Sequence, residues 1–278
     1  TVDTGSGDDI IKLTAIEGSH EWFYYAVRGV VLSTLNLGGG DDLFELDIFA
    51  TQDETFATTG FDNTALNTGS GDDSVSITIE NPSSWQETEV LRDSSFNLDE
   101  GNDLLTINST GTGAISSYVS AGVGNDTIII SSDKDAVKNS TVDAGNGNDT
   151  ISLSAENAQF FGLNHSKVML GEGDDRIAID SATNSTLDGG DGEDYLVIGG
   201  SSDEFILNAI DRNEYQLKRA DDAFFGLTLL STEVIQFDDI NVDLVRNSAP
   251  SGIPVLLGDP TVGSVMQIDT SGINDLDN

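Results

Sequence analysis

The feature that most constrains this chain is a short segment, rich in glycine and aspartate, that occurs eight times between residues 1 and 200. One copy, residues 142–153, reads V-D-A-G-N-G-N-D-T-I-S-L and has an aspartate at its centre. The eight central aspartates are Asp9, Asp42, Asp73, Asp103, Asp126, Asp149, Asp175 and Asp194. A unit this short cannot bury its own apolar side chains, so successive copies are expected to stack as the coils of a solenoid.

Glycines precede the central aspartates at two fixed distances. The glycines that lie two positions before the aspartate are Gly7, Gly40, Gly71, Gly101, Gly124, Gly147, Gly173 and Gly192. The glycines that lie four positions before the aspartate are Gly5, Gly38, Gly69, Gly122, Gly145, Gly171 and Gly190. In the fourth copy Asp99 occupies this position. Alternate glycines let the backbone adopt positive φ and turn its carbonyl groups towards one point. Carboxylate and carbonyl oxygens, without sulfur or imidazole, suit Ca²⁺, so the loops predict calcium sites.

Apolar residues flank every loop on both sides. Two and four residues after the aspartate they form pairs such as Ile128 and Ile130. The apolar residues seven positions before the aspartate are Val2, Leu35, Leu66, Phe96, Val119, Val142, Val168 and Leu187. Two positions further back lies a hydroxyl residue: Ser33, Thr64, Ser94, Ser117, Ser140, Ser166 or Ser185. This alternation predicts a strand before and a strand after each loop, each with its apolar face inward.

The loop sequences resemble a known repeat. The segments G-x-G-N-D-T-I at 122–128 and 145–151, and L-D-G-G-D-G-E-D-Y-L at 187–196, resemble the nonapeptide of RTX proteins, the haemolysin-type calcium-binding repeats. The resemblance covers about residues 1–200. It implies an all-β, right-handed parallel β-roll or β-helix solenoid with one calcium-binding loop per coil. It also implies that the eight aspartates supply side-chain ligands and the loop glycines supply carbonyls, for up to about seven Ca²⁺ ions between stacked loops.

The spacing of the repeats departs from the RTX pattern. Successive central aspartates are 33, 31, 30, 23, 23, 26 and 19 residues apart, which is far more than a nonapeptide. We therefore expect one calcium-binding side per coil, with the opposite side replaced by variable segments at the surface. These segments are 47–63, 80–92, 108–116, 131–139 and 154–164. Both a two-sided roll and a three-sided helix remain compatible with this spacing.

The charge of the chain also points to metal binding. Eleven Lys and Arg against 49 Asp and Glu give a net charge of −38, which makes nucleic acid and anionic membranes poor partners. Stacked coils lie about 4.8 Å apart, so neighbouring carboxylates repel each other by about 1 kcal/mol per pair even in water. Seven Ca²⁺ ions would reduce the net charge to about −24. Folding is therefore expected to be coupled to calcium binding.

The periodicity stops after Gly200. Residues 201–246 predict capping strands, in particular at 214–218 and 233–237, and the pattern E-x-I-x-F resembles the segment that closes RTX tracts. Residues 247–278 predict a linker, which holds three of the four prolines, and the start of a further module that resembles Ig-like or cadherin-like domains. No run of residues approaches the length of a transmembrane helix, so membrane insertion is not expected.

These features predict a calcium-binding structural module, of adhesin or surface-layer type, in a secreted or cell-surface bacterial protein, not an enzyme. It would cross the cell envelope unfolded and fold in external calcium, with surface glycans or other copies of the chain as further partners. Two carbohydrate-directed alternatives stay open. One is a β-helix related to polyuronate lyases or epimerases, for which no Arg, Lys or His constellation is visible. The other is a glycan-binding module using Trp22, Tyr24 and Tyr25, within an aromatic cluster at 17–28 that we interpret chiefly as a plug.

Overall fold

A computed structural model of the chain describes residues 1–16, 26–49, 56–81, 87–211, 213–244, 255–257 and 267–269. Its contacts divide the chain into two compact units, Thr1–Asp243 and Leu244–Asn278. Thirty strands, numbered β1 to β30 along the chain, and one short 3-10 helix at Ser202–Glu204 form the regular structure of the described residues. The fold is therefore almost entirely β, as the sequence predicts.

The first unit is built on three long sheets of the described residues. Sheet A contains, in spatial order, β1 (Val2–Asp3), β4 (Thr34–Gly39), β7 (Ala65–Ser70), β10 (Ser95–Glu100), β13 (Tyr118–Val123), β16 (Thr141–Asn146), β19 (Lys167–Glu172), β22 (Ser185–Asp191), β26 (Leu227–Leu230), β25 (Glu214–Arg219) and β24 (Phe205–Asp211). Sheet B contains β2 (Ile10–Ile16), β5 (Leu43–Phe49), β8 (Ser74–Glu80), β11 (Leu104–Ser109), β14 (Thr127–Ser132), β17 (Thr150–Ala155), β20 (Arg176–Ile179), β23 (Tyr195–Ile198), β27 (Val234–Gln236) and β28 (Asn241–Asp243). Sheet C contains β21 (Ala182–Thr183), β18 (Leu163–Asn164), β15 (Val137–Lys138), β12 (Thr112–Ile115), β9 (Thr88–Arg92), β6 (Phe56–Asp62) and β3 (Ala26–Val31).

Each of the first seven coils contributes one strand to each sheet in the order A, B, C, the eighth contributes β22 to sheet A and β23 to sheet B, and neighbouring coils pair in parallel. The chain is therefore a parallel β-helix with three sheets, which decides between the two cross-sections that the repeat spacing allows. Register is kept from coil to coil: Val119 pairs with Val142, and Val142 with Val168. Equivalent residues of the repeat consequently stack in columns.

Sheet C corrects one expectation from the sequence. The variable segments 47–63, 80–92, 108–116, 131–139 and 154–164 are predicted to be surface loops, yet each contributes strand residues to sheet C. Their apolar residues Phe61, Leu91, Ala114, Val137 and Leu163 are fully buried. Each segment has only one or two such residues among many polar ones, so it shows no clear alternation. These few residues are nevertheless enough to close the third side of the coil.

The inward-facing residues of the repeat form the core. The predicted apolar column from Leu35 to Leu187 is buried, whereas Val2 in the first coil is 47% exposed. Val2 lies on β1, which pairs on one side only, with β4. In the N-terminal coils aromatic rings form part of the core: Phe61 packs against Phe44 and Phe96 with ring centroids 5.7 and 4.8 Å apart.

The C-terminal end of the helix is closed by β strands, as predicted. β26 and β27 continue sheets A and B in parallel, and then β25, β24 and β28 add on in antiparallel pairing. The ring of Phe205 lies 5.6 Å from that of Phe225 and 5.1 Å from that of Phe237. Antiparallel strands with a changed side-chain pattern stop further parallel pairing at this edge.

The second unit is described only at β29 (Val255–Leu257) and β30 (Gln267–Asp269), which pair in antiparallel fashion. The rest of the predicted linker and module at 247–278 lies outside the described residues, as do Trp22, Tyr24 and Tyr25 of the aromatic cluster. In the part of the chain that the structure describes, no helix is long and apolar enough to cross a membrane.

Candidate metal centre

The turns between sheets A and B carry the predicted site residues. In each coil the glycines lie at the end of the sheet A strand or in the turn, and the aspartate comes just before the sheet B strand. Because the strands on both sides keep their register, all eight central aspartates fall into one column along the helix. The sequence therefore predicted correctly which residues the fold brings together.

A hydrogen-bonded ladder connects these aspartates. The backbone N–H of each aspartate donates to Oδ1 of the aspartate in the following coil, over distances of 2.6 to 3.1 Å. From the second coil onwards the side chains are buried, with exposed fractions of 2% or less. From Asp42 onwards each carboxylate thus has one oxygen hydrogen-bonded to its neighbour and is held in a fixed orientation.

The second oxygen of each carboxylate has no such partner. Oδ2 of all eight aspartates is buried and accepts no hydrogen bond from any described residue. Burial, together with the smaller effect of a neighbouring aspartate in the column, raises the pKa of Asp103, Asp149 and Asp194 to about 7. A buried anionic oxygen without a partner is costly, so these atoms favour either a proton or a cation. A column of hard anionic oxygens fits Ca²⁺.

The glycines are needed where the loops stack. Gly122 and Gly124 have φ of 115° and 145°, and every predicted loop glycine also has positive φ. A Cβ atom on Gly124 would lie 1.6 Å from the carbonyl oxygen of Gly101 in the preceding coil. The carbonyl groups of one loop therefore point towards the next loop, into the space that a side chain would fill. Only glycine, which has no side chain, leaves this space free. Asp99, which replaces a glycine, also has positive φ, at 81°.

A second, exposed ladder runs beside the first and was missed in the sequence. It consists of the residues just before the central aspartates: Asp8, Asp41, Asp72, Asn102, Asn125, Asn148, Asp174 and Glu193. In this ladder a side-chain oxygen accepts the backbone N–H of the following coil, over 2.7 to 3.1 Å. The two ladders thus run in opposite directions along the helix. The sequence feature that could have predicted this second ladder is the Asp, Asn or Glu that precedes every central aspartate.

A third ladder occupies the corner between sheets C and A. Here the hydroxyl of each Ser or Thr from Thr64 to Ser185 accepts the backbone N–H of its equivalent in the preceding coil, over 2.9 to 3.4 Å. An open groove of about 630 Å³ follows this corner over five coils. Its lining includes Asn63, Asp93, Tyr118 and Asn139 but no Lys, Arg or His, the residue types that polyuronate chemistry would require there. His165 is exposed at the same corner.

A metal ion in this column would need backbone as well as side-chain oxygens as ligands. Among the described residues, no three His, Cys, Asp or Glu side chains converge on one point. Each space between loops is bordered by two central aspartates, such as Asp126 and Asp149. An ion held there would need further oxygen ligands, which the glycine carbonyl groups of the stacked loops are suited to provide.

The raised pKa values predict that the calcium-free chain becomes more stable as the pH falls from about 7.5 to about 4.5. For Asp103, Asp149 and Asp194 the folded pKa is about 7 and the ordinary value is 3.8. Between these values the folded state binds more protons than the unfolded state, so the free energy of unfolding decreases as the pH rises and levels off above about pH 7.

Urea unfolding in calcium-free buffer, followed by circular dichroism at several pH values, measures this dependence. The Asp149→Asn variant should show a shallower slope, whereas Asp143→Asn, on the outer face of sheet A, should keep the wild-type slope. A wild-type midpoint that rises with pH would contradict the prediction.

No model of a known protein family matches the chain, and no curated protein matches it either. The functional interpretation therefore rests on the residues and geometry of the stacked loops.

Proposed function

We propose that this chain is a calcium-binding structural module of an RTX-type secreted or cell-surface protein. The observation that carries the proposal is the column of eight buried Oδ2 atoms without a hydrogen-bond partner. Protein interiors rarely leave such atoms unpaired, and here the same orphaned atom recurs in every coil at the same position. A repeated defect of this kind is a strong indication of a repeated ligand.

Calcium would be held between neighbouring loops by the paired central aspartates, such as Asp126 and Asp149, and by glycine carbonyl groups. Bound Ca²⁺ supplies two positive charges between carboxylates that otherwise repel each other. The eight loops enclose seven such spaces, which is the basis for about seven ions. The protein's own residues contribute rigidity, because one oxygen of each carboxylate is already fixed by the ladder.

The proposal includes an extracellular setting. Modules that bind calcium with dissociation constants of about 10⁻⁴ to 10⁻³ M are filled at external calcium concentrations. In a compartment with little calcium, the unneutralised column would keep the chain unfolded, which suits export in an unfolded state. The folded solenoid would then serve as a stiff, acidic spacer or surface-layer element of an adhesin-type protein.

The proposal is tested by comparing two isosteric variants in a calcium titration. Asp126 borders two spaces between loops, whereas Asp9, in the first coil, borders one. Asp126→Asn is expected to raise the calcium midpoint of folding by about tenfold, or about 1.4 kcal/mol, and Asp9→Asn by clearly less. Far-UV circular dichroism against free calcium gives both midpoints. Equal shifts in the two variants would contradict the stacked-ion arrangement.

A further inference from the structure

The C-terminal cap contains a ninth coil that the repeat pattern does not reveal. In regular coils the residue after the central aspartate donates its N–H to the aspartate of the preceding coil, as Thr150 does to the carbonyl of Asp126 over 2.8 Å. The N–H of Val234 donates in the same way to the carbonyl of Asp194 over 3.0 Å, and Val234 pairs with Tyr195. Glu233 therefore occupies the position of a ninth central aspartate.

The side chain of Glu233 also makes the hydrogen bond that defines the column. Its Oε2 accepts the backbone N–H of Asp194 over 3.0 Å, as Oδ1 of Asp194 accepts the N–H of Asp175. The glycine loop is missing from this coil. Leu229 pairs with Leu187, so the seven positions from Leu187 to Asp194 correspond to only four from Leu229 to Glu233. The longer Glu side chain spans the distance that the shortened turn leaves.

The space between Asp194 and Glu233 has the same feature as the spaces between the regular loops: a buried carboxylate oxygen without a hydrogen-bond partner. Asp194 is fully buried, and its Oδ2 has no hydrogen-bond partner among the described residues. A Cβ atom on Gly189 would lie 2.6 Å from this oxygen and 2.0 Å from the carbonyl oxygen of Ser231. The cap therefore brings one carboxylate and one backbone carbonyl to the last aspartate of the column.

We propose that Glu233 is the terminal acidic ligand of the ion column and that a Ca²⁺ ion lies between Asp194 and Glu233. This inference rests on the proposed calcium-binding function and adds one ion to the seven between the loops. The ion would fasten the cap to the solenoid, since its ligands come from the turn between β26 and β27 on one side and from the eighth loop on the other. Cap and column would then fold as one calcium-dependent unit.

The number of bound ions in the full chain tests the proposal. Isothermal titration calorimetry is expected to find eight ions in the wild type, seven in E233Q and eight in the control E214Q, which changes another glutamate of the cap. The glutamine in E233Q still accepts the N–H of Asp194. A purely structural role would therefore leave the ion count unchanged, and only a ligand role removes one ion.

The outcomes separate this inference from the proposed function. A wild-type chain that binds no calcium overturns both. A wild type that binds several ions, together with an E233Q variant of equal count and affinity, overturns the role of Glu233 alone. If E233Q does not fold at saturating calcium, the ion count of the wild-type chain decides: eight ions support the proposal, and seven, the number of spaces between the eight loops, overturn it.

Discussion

Removal of calcium at about pH 7.5 is expected to abolish most of the β structure of residues 1–243. The central carboxylates are stacked at the strand spacing, and adjacent ones repel by about 1 kcal/mol per pair even with full solvent screening. Burial of their unpartnered Oδ2 atoms adds a further cost in every coil. Because a folded domain is stable by only about 5 to 15 kcal/mol, these repeated costs are enough to unfold the solenoid.

Added calcium should reverse this loss. Each site filled to 100 times its dissociation constant stabilises the folded state by about 2.7 kcal/mol, and several sites act together. Far-UV circular dichroism in the presence of a chelator, followed by titration with low-millimolar calcium, measures both states. Magnesium is the control, since it demands octahedral geometry and gives up its water reluctantly. A chain with full β signal in the chelator would show that the column does not need an ion.

Gly124→Ala is expected to destabilise the calcium-loaded chain by about 3 kcal/mol or more. The added Cβ would lie 1.6 Å from the carbonyl oxygen of Gly101, so two coils must move apart. In addition, φ of 145° at this position is a backbone conformation that costs a non-glycine residue about 1 to 3 kcal/mol. Both effects act on the stacking of loops and therefore also on the proposed ion sites between them.

Gly199→Ala provides a matched control. A Cβ at Gly199 meets no atom within 4 Å, and its φ is not positive, so the substitution is expected to change stability by less than about 0.5 kcal/mol. Thermal unfolding at saturating calcium compares the two variants. Similar melting temperatures for Gly124→Ala and Gly199→Ala would contradict the close stacking of the loop carbonyl groups.

Much of the candidate site could be predicted because it is a property of the repeat itself. The aspartate at the centre, the glycines at fixed distances and the apolar residues on both sides recur in register. Any parallel stacking of the copies therefore places them in columns. The second ladder recurs as well, at residues such as Asn125 and Asn148, but an exposed polar residue in an acidic chain gives no reason to expect a specific hydrogen bond.

Glu233 could not be predicted, because its coil has lost the glycine loop and has only four positions where the others have seven. Its equivalence to the central aspartates appears only through the pairing of Tyr195 with Val234. Strands β24 and β25, which form an antiparallel hairpin, lie between the eighth coil and the ninth along the chain. Strand pairing in three dimensions, and not the spacing along the sequence, brings Tyr195 and Val234 together across this intervening hairpin.

The sequence by itself determined the parallel stacking, the two strands at each loop and the column of acidic turns, because these follow from a repeated local pattern. Only the tertiary structure decided the third sheet and the end of the column. Closing a coil takes buried residues such as Phe61 and Leu91, which pair in register and each lie twelve residues before a central aspartate. One apolar residue among many polar ones shows no alternation, so the sequence offers no reason to expect a strand there, and only the pairing of neighbouring coils makes it the third side.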